Sequence, residues 1–273
     1  MKKIFLLTII TLLIVPILVK ADDVYYINNG NTTITADEYQ NLLNLGFEQK
    51  EIYGMSIDEF ETNNKLKGEI IKKTTLDLTE FPQLSLNPDE NISGGIAEPC
   101  NWAYGETQYK KMSVYIININ NNHYRYKITL DWKIMPTTRS WDILALAYEP
   151  TVYIAIPTTF RQEYCKSGTC YSSLAGNYYS YDEVEMVSFK IPTGTLTSLN
   201  SYMYYEVLRV DPSKVLERIT TIGDYAHAIR TLSNSLNKSQ IEWMDEIWLP
   251  NHAYYYDDMP ITDLSQLVNW GAW

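Results

Sequence analysis

Past its first twenty residues the chain has no run of eighteen apolar side chains. It holds only three cysteines and three histidines in 273 residues, and 22 basic side chains against 33 acidic ones. Each shortage excludes something. A bilayer core of about 30 Å needs roughly 20 consecutive apolar residues, so no membrane-spanning helix is expected in the body of the chain. Cysteines that do not come as two pairs, with so few histidines, leave no zinc-finger or ribbon ligand set. The acidic excess, a net charge of −11, repels phosphate backbones and anionic lipid. Nucleic acid is therefore not expected as a partner, and neither is bare membrane, while cationic partners stay open. Catalytic signatures are missing too: there is no GxSxG elbow, no HExxH helix, no P-loop and no GxGxxG turn, so no catalytic residue, no metal ligand and no cofactor is assigned. Asp89-Glu90 and Asp257-Asp258 lack the alternating oxygen ligands of an EF-hand loop, which leaves a structural calcium in a loop as the one inorganic ligand still open.

What is present begins with Lys2 and Lys3, an apolar run from Ile4 to Val19 broken by Pro16, and Val19-Lys20-Ala21, small at the positions three and one before a cut. Residues 1–21 read as a secretory signal peptide of bacterial type. Its removal leaves 19 basic residues and a net charge of −14 on a chain starting at Asp22. An exported, extracellular protein is expected, soluble and without membrane insertion once the signal is gone. In an oxidising compartment Cys165-Lys-Ser-Gly-Thr-Cys170 has the spacing of a hairpin disulfide across a tight turn, and Cys100 is the odd thiol.

The best-patterned stretch is His123 to Tyr148. Tyr124, Tyr126, Ile128, Leu130, Trp132 and Ile134 alternate with Arg125, Lys127, Thr129, Asp131 and Lys133, a period of two that marks a half-buried antiparallel strand with its charged face to solvent. Trp141 to Tyr148 is apolar almost throughout and suits a central strand; Pro136 sits in the turn between them, and the pair reads as a hairpin. Further strands are expected at 24–27, 69–74, 112–119, 151–157, 202–210 and after Gly223. In Val184 to Ile191 the apolar parity flips between Met186 and Val187, which predicts a β-bulge. Arg161 to Tyr181 has no regular period and reads as a loop. The class is mostly β, an antiparallel β-sandwich over residues 68–273 with an irregular C-terminal tail.

Residues 22–67 differ. Thr35-Ala-Asp-Glu38 is a capping box, Tyr39, Leu42, Leu43 and Leu45 form a helical stripe, and Gly46 suits a left-handed C-cap. Glu48 to Tyr53 makes a second short helix, and Ser56-Ile-Asp-Glu59 is a capping box for a third. The string EYQNLLNLGFEQKEIYGMSIDEF resembles the ubiquitin-associated (UBA or CUE) type of three-helix module, in which a Met/Leu-Gly-Phe loop, here Leu45-Gly46-Phe47, grips a hydrophobic patch on a partner. The resemblance implies a shape and a protein-contact surface. The same residues also suit a tiny core, or a module docked on the sandwich.

The aromatic inventory is lopsided, with 23 tyrosines and 7 tryptophans. Tyrosine rings stack on sugars or on partner proteins while the hydroxyl stays wet. Tyr171, Tyr178, Tyr179 and Tyr181, with Tyr254, Tyr255 and Tyr256, are the candidate ligand-binding sets. Glu183, Glu185, Glu206 and Glu217 are carboxylates on or beside expected strands, and His227 in GDYAHA has a carboxylate close by. Arg139 and Asp142 read as a structural pair at the turn. Together the signal peptide, EYxNLLxLGF, WKxMPxxRSxD and GDYAHA are similar to exported proteins of Firmicutes-like bacteria, a resemblance that supplies no activity. The reading is a non-enzymatic protein that binds a glycan or protein partner. An extracellular hydrolase acting on glycan or peptide is the alternative, and a secreted toxin or bacteriocin-like factor the third.

Overall fold

A computed structural model describes residues 25–27, 32–77, 110–213, 218–228, 231, 256–258 and 261–267. Residues 1–21, expected from sequence to be a signal peptide, and Cys100 lie outside them. Strands β1 (Tyr25–Ile27) and β2 (Thr33–Thr35) form a small ribbon, followed by α1 (Ala36–Asn44), α2 (Gln49–Gly54) and α3 (Ile57–Asn64). Two larger antiparallel sheets follow. The first orders β3 (Glu69–Asp77), β4 (Lys110–Asn120), β5 (His123–Trp132), β11 (Leu196–Arg209), β7 (Val152–Lys166) and β8 (Thr169–Ser173). The second orders β9 (Gly176–Tyr181), β10 (Val184–Lys190), β6 (Trp141–Tyr148) and β12 (Arg218–Ala228), with β13 (Tyr256–Asp258) and β14 (Ile261–Leu267) paired to the far edge of β12. The sandwich core lies between the sheets: Val114, Tyr126, Ile128, Leu130, Met203 and Tyr205 from the first meet Leu144, Leu146, Val187, Phe189 and Tyr225 from the second.

The three helices cover the opposite face of the first sheet. Leu42, Leu45, Phe47, Ile52 and Met55 pack on Tyr115, Ile117, Tyr202 and Tyr204, so the helices share one core with the sheet. The local signals act as expected at α1, where Thr35 and Glu38 close a reciprocal capping box and Gly46 turns with φ 81°. At α3 only half of the box forms. Ser56 accepts from the Glu59 amide, but the Glu59 carboxylate points into the sheet, where it meets Arg161 and accepts from Tyr202 Oη at 3.0 Å.

Four expectations are corrected. Arg125 and Lys127 are not solvent-facing; both are 0% exposed, because the helices sit on the face that alternation marks as polar. Strands β5 and β6 are not a hairpin. Each half-buries one apolar face, but those faces meet across the sandwich, and the Pro136 turn carries the chain from the first sheet to the second. No bulge interrupts β10, which pairs β6 and β9 residue for residue from Val184 to Phe189; the apparent parity flip arises because Met186 packs on the outer face and Val187 in the sandwich core. Lastly, 161–181 is not a loop. It contains the end of β7, all of β8 and all of β9, where Tyr and Ser alternate too weakly in polarity to show a period. Strand β7 also runs on through Pro157, beside a register shift between Tyr204 and Glu206 of its partner, a place where a missing amide donor is tolerated.

Candidate functional site

The β7–β8 hairpin closes at Ser167 and Gly168, with φ of 52° and 82°, the double left-handed turn that matches strand twist. It places Cys165 opposite Cys170, and the two form the expected disulfide. Leu174 and Ala175 then carry the chain from the edge of the first sheet to the edge of the second, so β8 and β9 end the two sheets on one side of the sandwich. Two stacked ring pairs form a lip there. Tyr164 and Tyr171 are register partners with centroids 5.1 Å apart, and Phe160 of the first sheet stacks on Tyr178 of the second at 6.2 Å and 11°. Tyr171 is 46% exposed, Tyr178 43% and Tyr181 36%, with Leu174 at 62% between the strands. Under the lip the buried Glu185 carboxylate accepts hydrogen bonds from Tyr178, from Thr158 at 2.9 Å and from Ser180 at 2.8 Å. Burial, and then the hydrogen bond to Glu185, push the Tyr178 phenol above its ordinary range, so it stays a donor at neutral pH.

Of the seven tyrosines expected to bind, Tyr171, Tyr178 and Tyr181 present exposed area on these two edges. Tyr179 is half-buried and packs on the outer face of the second sheet with Met186. Tyr254 and Tyr255 lie outside the described residues, and Tyr256 opens β13 by pairing with Ala228. Phe160 and Tyr164, unnamed from sequence, complete the lip; their spacing of four residues puts them on one strand face.

Histidine 227 does have a carboxylate, but it is Asp142. Asp142 accepts from Trp132 Nε1 at 3.1 Å and Tyr225 Oη at 2.7 Å, and lies 2.8 Å from His227 Nδ1. Arg139 is not among these partners. Asp142 and His227 are both 0% exposed, with the Lys110 ammonium 4.5 Å from the Tyr225 ring centroid. The cluster ties β5 of one sheet to β6 and β12 of the other. The carboxylates likewise do not share a cleft: Glu185 faces the sandwich interior, whereas Glu206 faces the helices, between Arg125 at 2.5 Å and His123 at 2.6 Å. Burial raises the Glu206 carboxyl, but the His123 hydrogen bond and the Arg125 charge outweigh it and hold the group below the usual carboxylate range. Glu183 is exposed at a turn and Glu217 lies outside the described residues. Among the described residues no three His, Cys, Asp or Glu side chains are grouped to hold a metal ion, and no helix is long and apolar enough to cross a membrane.

No family model matches this chain, and no curated protein does. Solved structures similar to it include the N-terminal domain of the Streptococcus gordonii adhesin Sgo0707, 11% identical at a TM-score of 0.32 over 54% of this chain and 28% of that one. The BcpA major pilin subunit of Bacillus cereus is 8% identical at 0.32, over 55% and 35%. The collagen-binding domain of the Erysipelothrix rhusiopathiae surface protein RspB is 8% identical at 0.29, over 57% and 64%. The chain thus spans about a third of the length of the first two. At TM-scores this low, function has to be read from the chain's own surfaces.

Proposed function

We propose that this is an exported, non-enzymatic recognition protein that holds a protein or glycan partner on the aromatic lip formed by β7, β8 and β9. The observation that supports it most directly is the pair of ring stacks, Tyr164 on Tyr171 and Phe160 on Tyr178, set at the junction of two sheet edges with Tyr171 and Tyr178 each more than 40% exposed. Rings already stacked lose little freedom on binding, and tyrosine adds a hydrogen bond to its apolar area. The Cys165–Cys170 disulfide beside the lip suits the oxidising compartment that the N-terminal pattern implies. Two acid–base candidates among the described residues are not presented to a substrate: the Asp142–His227 pair is wholly buried and the Glu206 carboxylate is held by Arg125 and His123.

The test runs the mature chain over a glycan array and a panel of extracellular-matrix and cell-wall proteins, beside a glycosidase and peptidase panel. Retained binding, weakened at least tenfold in a Tyr171→Ala, Tyr178→Ala double variant of unchanged circular dichroism, is expected. Turnover without retained binding, or binding that ignores the double variant, rejects the proposal.

A further inference from the structure

We propose that β9 accepts an additional strand: an extended peptide segment of a partner protein, added antiparallel to Gly176–Tyr181, with a basic side chain at or just before the N-terminal end of the bound stretch. This rests on the reading of the lip as a recognition surface and names its ligand class. An open sheet edge offers a row of backbone donors and acceptors, and proteins usually blunt it with charge, proline or a bulge. The chain does so at the other edge of the first sheet: β3 carries Glu69, Lys72, Lys73 and Asp77, and its register slips between Ile70 and Lys72. Strand β9, GNYYSY, has no charged residue and no proline, and it pairs β10 without a slip. Among the described residues no strand pairs with its outer edge, and its Asn177, Tyr178 and Ser180 side chains are exposed.

The neighbouring lip supplies specificity. Alternate side chains of an added strand point toward the sandwich interior, where exposed Tyr171, Tyr178 and Leu174 offer apolar area. Every pairing in both sheets is antiparallel, and an antiparallel arrival sets the peptide's first residues beside Tyr181. There the exposed Asp182–Glu183 turn follows, which favours a lysine or arginine. A second copy of this chain fits less well. Contact along one six-residue edge falls short of the roughly 1,200 Å² that stable interfaces bury, and both copies would carry a net charge of −11.

The experiment uses the full chain and fluorescein-labelled octapeptides: two arginines, then six residues alternating threonine with valine, isoleucine, leucine or tyrosine. Saturable anisotropy is expected for at least one peptide, with slowed amide exchange confined to 176–181 and its partner strand. Backbone N-methylation of one alternating set should weaken binding at least tenfold while the other set leaves it unchanged, because only alternate amides face β9. Replacing the arginines by glutamates should also weaken it at least tenfold. Binding that is lost in the Tyr171→Ala, Tyr178→Ala variant yet ignores N-methylation of either set overturns strand addition and leaves the lip as a recognition surface. Failure of every peptide, retention of glycans alone, or self-association through these residues by sedimentation and exchange overturns it as well.

Discussion

Glu163 sits beneath α2 with one oxygen 3.1 Å from the Asn200 amide nitrogen and the other without a hydrogen-bond partner among the described residues. Gly54 makes the space, since a Cβ there would fall 1.8 Å from that second oxygen. Burial is the main reason its carboxyl is pushed up to about 8; Glu51 and Glu59 nearby add to the rise, while Asn200 and Arg161 oppose it. Unfolded, the group ionises near its ordinary value of 4.5. Between these two values the folded chain holds one more proton than the unfolded one, so stability falls as pH rises, by up to about 1.4 kcal/mol per pH unit, and the loss is complete above the folded value. Glu163→Gln carries no such proton. Urea midpoints of the two proteins are expected to diverge between pH 5 and 8, wild type declining more steeply; parallel profiles would refute the assignment. Neighbouring charges also feel burial. Glu51 and Lys127 are each pushed toward neutrality by it, against their mutual contact.

The element that joins helices to sheet is the loop Leu45-Gly46-Phe47. The Gly46 carbonyl accepts a hydrogen bond from Lys127 Nζ at 2.7 Å, and the Phe47 ring lies 4.5 Å from the Lys127 ammonium, 5.5 Å from the Arg125 guanidinium and 5.5 Å from the Tyr204 ring centroid. The loop is turned onto β5 and β11 of its own sheet. Burying two cations is costly unless they are paired and covered, and Phe47 is the cover. Phe47→Ala is therefore expected to destabilise by about 3–5 kcal/mol, the range for deleting a buried ring, read from urea unfolding with fluorescence and far-UV signals together. A loss under about 1 kcal/mol would show that the cations need no ring above them.

Across the whole molecule the layers are helices, first sheet, second sheet, and the polar seam lies between the first two. Glu51, Glu59 and Lys127 from the two sides are all buried in it. A fragment of residues 22–67 would take half of that seam into water, with an apolar core too small to stand alone. It is expected to lack a helical far-UV spectrum at 25 °C, whereas a cooperative thermal transition in that fragment would establish an autonomous module. The complementary piece, from residue 68 onward, would expose Arg125, Lys127, Tyr202 and Tyr204 and is expected to associate.

Read alone, the sequence determined much of what local physics sets. Thr35 and Glu38 cap a helix wherever that helix lies, Gly46 alone tolerates its φ without strain, and Tyr124 to Trp132 alternate because one face must be apolar. The Cys165–Cys170 turn was legible for the same reason: Ser-Gly at the centre of a four-residue spacer suits a tight turn that brings the two thiols together. Only the tertiary structure decided what covers each face. Alternation reports that Arg125 and Lys127 oppose the sandwich core, but it does not tell water from a layer of helices bearing Glu51 and Phe47. Nor does it report which sheet a strand joins, because β5 and β6 bury the same kind of face whether they pair or face each other. The lip was half legible, its tyrosines visible as composition and their stacks not, since Tyr171 finds Tyr164 and Tyr178 finds Phe160 only once two sheet edges come together.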